Sequence, residues 1–358
     1  MAEFSTVNRI PSLTWNRLHL NEAEGVSIKA SSFFKSSATV PSDVRVEELS
    51  ETSLKNQKTG IGPEIDKAVS FAAKSGQSIT KYVSSIAKNA ADASENILKL
   101  DLSYSSDGSE INAVTPVELF VEDGKALTAI MFFEAAPETK GEAVVQTKYH
   151  VGKGASLNLI QVQKTSKSMD FFNDIGGTVE ADGEFRLSQL VIDGGNTYYG
   201  STTDLLGEKA SHDMKLSYLV GKGSLLDIND EINHIGKKTL SEIEVNGVLD
   251  GGSKKNFRGT IDLRKGCKGA KGNERESVLL LDDDLVNRTL PVILCSEEEV
   301  EGNHGASIGK LDSEMMFYLE SRGIPEKEIY KMISRARIDA VKNLIPDEKS
   351  RERVDNML

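Results

Sequence analysis

The chain has 358 residues, 27% of them charged and 38% apolar, with a net charge of −12. That length admits two or three domains, or one large all-β domain with additions. The acidic balance counts against a general nucleic-acid binder, and no window approaches the ~18 consecutive apolar residues of a membrane helix. The opening MAEFSTVNRIPSLTW lacks the basic-then-apolar layout of a secretory signal. Two cysteines, Cys267 and Cys295, give neither a disulfide framework nor a CxxC pair. This fits a reducing, cytoplasmic setting and excludes a closed zinc site of the four-cysteine or three-cysteine-one-histidine kind.

In chain order, residues 1–100 read as an N-terminal region, partly helical with a polar linker. An apolar anchor, Leu13-Thr14-Trp15 with Leu18 and Leu20, precedes a short strand at Val26-Ser27-Ile28. A Ser/Thr/Lys-rich stretch to about Lys58 has little periodicity and reads as loop. From Pro63 the pattern turns helical: Ile65, Ala68, Val69, Ala72 and Ala73 recur at spacings of three and four, Gly76 breaks the run, and Ile79, Tyr82, Val83, Ile86 and Ala87 predict a second helix.

Residues 101–310 change period. Leu157 and Leu159 alternate with polar neighbours, as do Met214, Leu216, Tyr218 and Val220, then Ser241, Ile243 and Val245, then Phe257, Gly259, Ile261 and Leu263. Glycine-bearing turns such as Gly152-Lys-Gly154 and Gly221-Lys-Gly223 separate the runs at irregular spacings, with no clean repeat. So many short strands, each with a polar face, favour a β-solenoid over a sandwich or barrel. Residues 311–358 are helical again: Asp312 caps a helix from Ser313 to Arg322, Gly323 ends it, and Pro325 opens another. The second carries Ile329, Met332, Ile333, Ala336, Ala340, Val341 and Leu344 along one face, Pro346 ends it, and the charged last twelve residues should fray.

One segment is more specific. His304-Gly305-Ala306-Ser307, Gly309, Asp312, Phe317-Tyr318-Leu319 and Ser321-Arg322-Gly323 follow one another closely. This pattern resembles the C-terminal core of the SufB/SufD family of iron–sulfur cluster assembly scaffolds, more weakly back to about residue 100. The resemblance implies a mainly β fold with a right-handed parallel β-helix core between helical N- and C-terminal parts. It implies a non-catalytic scaffold subunit that pairs a SufD-like with a SufB-like chain and docks a SufC-type ABC ATPase. It also implies a transient iron–sulfur cluster shared with the partner chain. Many members carry cysteine two residues before the motif histidine, where this chain has Gly302. Thiolate is the usual cluster ligand, so the departure favours the SufD-like side.

His304 is the candidate iron or cluster ligand at a subunit interface, beside the plainer reading of a turn histidine. Cys267, among Lys265, Lys268, Lys271 and Arg275, is a possible sulfur-handling thiol whose pKa nearby cations would lower, or simply part of a basic solvated turn. Cys295 reads as core packing, His234 as a satisfied core or edge residue, and Asp282-Asp283-Asp284 and Glu297-Glu298-Glu299 as solvated turns. Ser321, Arg322, Gly323, Ile329, Met332 and Ile333 mark the ATPase-docking region that the resemblance implies. With no Walker motif there is no nucleotide site in this chain. Neither nucleic acid nor membrane is an expected partner. The rivals are a SufB-like homodimer and a β-helix enzyme acting on polysaccharide.

Overall fold

A computed structural model describes residues 5–12, 16–74, 78–91, 94–106 and 108–358; Leu13-Thr14-Trp15 and Gly76 lie outside the described residues. The N-terminal region contributes β1 (Ser5–Val7), β2 (Ala23–Val26), β3 (Ser32–Phe33), β4 (Ser37–Thr39), β5 (Val44–Leu49) and α1 (Pro63–Ala73), then β6 (Ile79–Ser84), β7 (Ile86–Ala87) and β8 (Ile97–Tyr104). Strands then alternate between two sheets: β9 (Ile111–Val121), β10 (Lys125–Ala135), β11 (Gly141–Val151), β12 (Ser156–Lys164), β13 (Met169–Val179), β14 (Glu184–Ile192), β15 (Asn196–Leu205), β16 (Ser211–Val220), β17 (Leu225–His234), β18 (Leu240–Leu249), β19 (Lys254–Leu263), β20 (Lys271–Leu280), β21 (Val286–Cys295) and β22 (Glu301–Gly309). Helices α2 (Ser313–Ser321), α3 (Glu326–Lys342) and α4 (Glu348–Met357) close the chain.

From β9 to β22 every strand pairs in parallel with the strand two places on, so odd strands build one sheet and even strands the other. This is the expected parallel β-helix, with seven two-strand coils. The predicted alternation is its lumen: Met214, Leu216, Tyr218, Ile243, Val245, Phe257 and Ile261 all lie in one buried cluster between the sheets. The repeat hidden in the sequence lies in the corner after each odd strand. Gly124, Gly154, Asp182, Lys209, Lys238 and Gly269 all hold positive φ, 27 to 31 residues apart. Each donates its amide to the carbonyl of the next corner. The conformation recurs while the residue type does not, because glycine is favoured there but Asp and Lys also adopt it at a cost.

Each sheet's outer face is covered. Helices α3 and α4 lay Ile338, Val341, Ile345, Val354 and Met357 against Ile130, Phe132, Ile160, Val162 and Leu190 of the even sheet. The last twelve residues therefore do not fray. Asp347 caps α4 by accepting from the Ser350 amide (2.9 Å), and Lys99 pairs with Asp347 at 2.8 Å. Arg353 bridges Asp101 and Glu134. The apolar stripe read from the sequence is also redrawn. Ile329, Ile338 and Val341 are buried, whereas Met332, Ala336, Ala340 and Leu344 face outward.

The N-terminal region straps the odd sheet, burying Val7, Val26, Ile61, Ile65 and Val69 against Val114, Val144 and Phe172. Acids on the outer face of the odd sheet hold the strap. Asp174 accepts from the Ile61 amide (2.8 Å) and Glu142 from the Lys29 and Ala30 amides. Asp227 binds Asn8 (2.8 Å) and Arg258 (2.7 Å), and Arg258 also donates to the Leu20 carbonyl (2.7 Å). Gly60 is required here, since a Cβ would stand 1.9 Å from the Ser201 nitrogen.

Three expectations change in this region. The polar stretch to Lys58 carries β3, β4 and β5, which borrow partners from β9, β8 and β6 and need no apolar period of their own. Ile79–Ala87 forms β6 and β7, not a helix. Pairing with β5, β9 and β10 uses its β-branched residues, and the three-and-four spacing arose from two strands read as one run. Leu18 is exposed rather than an anchor, and the strand expected at Val26–Ile28 ends at Val26.

Burial pushes Asp174 and Glu142 up to about 7, against the lowering effect of the amides they accept from. Both values lie above the roughly 4 of an unfolded carboxyl. Their protonated forms therefore favour the fold, and stability falls as pH rises from about 4 to about 7. Asp174→Asn keeps an acceptor for Ile61 and loses the titration. Its urea-unfolding free energy should fall less steeply between pH 5 and 8, by up to ~1.4 kcal/mol per pH unit; an unchanged slope would remove Asp174 from this role. Ile338→Ala should cost about 2–5 kcal/mol in the same assay, and a loss near zero would contradict docking of α3 on the even sheet.

Candidate functional site

The last coil has no coil after it. Among the described residues strand β22 pairs only with β20 and β21 only with β19, and every residue of β22 but Gly309 is exposed. Side-chain parity follows from the glycine: a Cβ on Gly302 would stand 3.1 Å from Ile293 and 3.3 Å from Leu263 of the opposite sheet, so Gly302 faces the lumen. With period-two alternation, His304, Ala306 and Ile308 face it too. His304 stands beside Glu274 of β20 in the ladder, at the uncovered mouth of the solenoid.

Cys295 ends β21 on the opposite wall, stacked on lumen-facing Leu263. It is exposed, not core, because that wall also lacks a covering coil; its thiol donates to the Glu297 carbonyl at 3.1 Å. Cys267 is the buried one, packed in the lumen cluster. Burial and then the Glu297 carboxylate push its thiol up, opposite to the lowered value expected. The neighbouring cations are engaged with the next coil, Lys268 with Glu299 (2.7 Å) and Lys271 with Glu301 (2.8 Å).

His234 is buried and contacts the Thr239 and Ser241 hydroxyls at 2.8 and 2.9 Å; burial lowers its pKa to about 4, a neutral core histidine. The Asp282–Asp284 turn is solvated, with Asp283 paired to Lys310. Among the described residues no three His, Cys, Asp or Glu side chains form a metal-binding group. His304 stands at the open edge outside any such group.

Beyond β22, the predicted cap holds: Asp312 accepts from the Glu314 and Met315 amides, and Gly323 takes φ 84°. Helix α2 buries none of its residues; Met315, Phe317 and Tyr318 are 51%, 74% and 55% exposed, and Met332 of α3 is 53% exposed. Arg322 lies over the Tyr318 ring at 5.2 Å, and the Ser321 hydroxyl donates to the Tyr318 carbonyl. Of the residues marked for docking, Ser321, Arg322, Gly323 and Met332 are exposed and Ile333 half-buried, but Ile329 is internal. Met315 was missed; strong helix formers on a helix with no inward face were its only signal. No described helix is long and apolar enough to cross a membrane.

Comparison with known proteins agrees with this geometry. Residues 104–337 match the family model "SUF system FeS cluster assembly, SufBD core domain". The chain is 24% identical over 248 residues to the iron–sulfur cluster assembly protein SufD of Bacillus subtilis, covering 68% of this chain and 56% of that one. It is 28% identical over 148 residues to a SufBD family protein of Mycobacterium leprae, covering 41% of this chain and 17% of that one. A SufBD family protein of Staphylococcus aureus is 31% identical over 144 residues, covering 40% of this chain and 31% of that one. The chain thus spans about half the length of the first relative and less of the others. It belongs to the SufBD family of iron–sulfur cluster assembly proteins and stands closer to SufD.

Proposed function

We propose that this chain is a non-catalytic, SufD-like scaffold subunit of a SufBCD-type complex, working in the cytoplasm. The observation that carries the reading is the uncovered last coil. Strands β21 and β22 present unpaired backbone groups and an open lumen at the place where His304 stands. A free parallel edge of this length is a template for another chain's strands. A SufB-like solenoid seated there would bring its own ligands beside the His304 imidazole, which suits mixed histidine and thiolate ligation of cluster iron. The cluster is cargo, assembled at the junction and passed on. Cys267, buried with a raised thiol, is the weaker candidate for handling sulfur.

Helices α2 and α3 supply the second contact. Met315, Phe317 and Tyr318 of α2 and Met332 of α3, on either side of the Ser321-Arg322-Gly323 turn, are exposed apolar side chains, suited to a SufC-type ABC ATPase that hydrolyses ATP. Arg337 of α3 donates to the Gly247 and Ser277 carbonyls of β18 and β20. Motion at the helices therefore reaches the last coils directly. A homodimer through the same edge is the competing assembly.

Anaerobic co-expression with the SufB-like and SufC-type proteins of the same organism should yield a three-component complex by native mass measurement. His304→Ala should leave its stoichiometry intact and lower bound iron and sulfide at least severalfold. Unchanged iron would retain the partnership and reject His304 as ligand, while a mass equal to two copies of this chain would favour the homodimer. Phe317→Glu with Met332→Glu alters only exposed positions, so stability should change by under ~1 kcal/mol. ATPase retention on a gel-filtration column should be lost and SufB-like pairing kept; full ATPase retention would move the docking site elsewhere.

A further inference from the structure

The lumen holds a group of polar atoms that its apolar lining leaves unserved. Both carboxylate oxygens of Asp230, the Ser201 hydroxyl and the Tyr199 hydroxyl are buried without a hydrogen-bond partner. Asp230 and Ser201 are 0% exposed. The ladder brings them together: Ser201, Asp230 and Gly259 are successive neighbours in one lumen column. Because Gly259 has no side chain, a gap opens beyond Asp230, and Glu274 enters it from the opposite sheet. A Cβ at Gly259 would stand 2.3 Å from one Glu274 carboxylate oxygen and 3.0 Å from the other.

Two acids thus meet in the interior without a cation of their own. Lys255, whose charge also acts on Glu274, spends its hydrogen bonds on Glu276 at 2.5 Å and Thr289 at 3.0 Å. Burial and the Asp230 charge push Glu274 up to about 8, and burial pushes Asp230 up to about 7. Buried charge at such density needs neutralising. Ser201 lies close enough to ease Asp230 ionisation, yet no hydrogen bond of normal geometry joins them. Glu274 stands beside His304 in the ladder, one strand in from the open edge of the solenoid.

We propose that Asp230, Glu274 and the Ser201 hydroxyl form an internal site for one divalent metal ion of the hard, oxygen-preferring class. Two carboxylates, a hydroxyl and water are the donors that Mg²⁺-, Mn²⁺- and Fe²⁺-like ions accept. The site lies one ladder step inside the coil edge where His304 stands, and its test needs this chain alone.

The full chain, stripped with EDTA, is titrated with Mn²⁺ at pH 7.5 while the free-ion EPR signal and the thermal midpoint are followed. Wild type should remove about one equivalent of Mn²⁺ and melt higher with it. Asp230→Asn and Glu274→Gln should each weaken binding at least tenfold. Without metal both should melt at or above wild type, since each amide removes a buried charge, which separates lost binding from lost folding. The surface variant Asp283→Asn should bind as wild type does. No bound Mn²⁺ in wild type, equal binding in both lumen variants, loss in only one of them, or loss in Asp283→Asn would each overturn the site.

Discussion

A parallel coil satisfies its backbone only through the coils on either side of it. Each strand from β9 to β20 gives hydrogen bonds in both directions, and the lumen packing repeats because the register never slips. Such a ladder has no internal stop. This chain ends it differently at its two extremities. At the N-terminal end β4 and β5 run antiparallel to β8 and β6, reversing the chain so that no further coil can follow. At the C-terminal end nothing reverses, and β21 and β22 remain bare. The proposed pairing surface is the place where the repeat is left unfinished.

The two outer faces show two ways of covering a sheet. The even sheet meets α3 and α4 mainly through aliphatic contact, which is strong and tolerant of small shifts. The odd sheet meets an irregular strap whose backbone amides need acceptors; Glu118, Glu142 and Asp174 provide them at fixed points, and Asp227 accepts from the Asn8 side-chain amide. Burying these acids costs more than apolar residues would. In return, each strap segment has one place where it fits. The raised Asp174 and Glu142 values are the measure of that cost.

The coils were legible because a lumen imposes period two without exception. Phe257, Gly259, Ile261 and Leu263 could be assigned to one face from their spacing alone. The caps were legible because Asp312 and Gly323 act through local backbone geometry. What escaped depended on partners far away in the chain. Strands β3 to β5 take theirs from β8, β9 and β6, and α4 exists because Asp101 and Glu134, over two hundred residues earlier, receive Arg353. At the site, His304 came from its motif, whereas exposed Cys295 and buried Cys267 were exchanged. An apolar run reads as core unless the missing next coil is known. The lumen acids were within reach, since Asp230 falls between Ile228 and Ile232 on the inward face.

The three terminal helices do not continue the solenoid; they turn back along it. Helix α3 touches β18, β16 and β14, and α4 reaches β8 and β10. During synthesis the coils form while these helices are still unmade. Ile130, Phe132, Ile160 and Leu190 must then wait uncovered until α3 and α4 leave the ribosome. The bare edge at β22 has already emerged by then. The order of synthesis thus exposes this edge before the even sheet is clad.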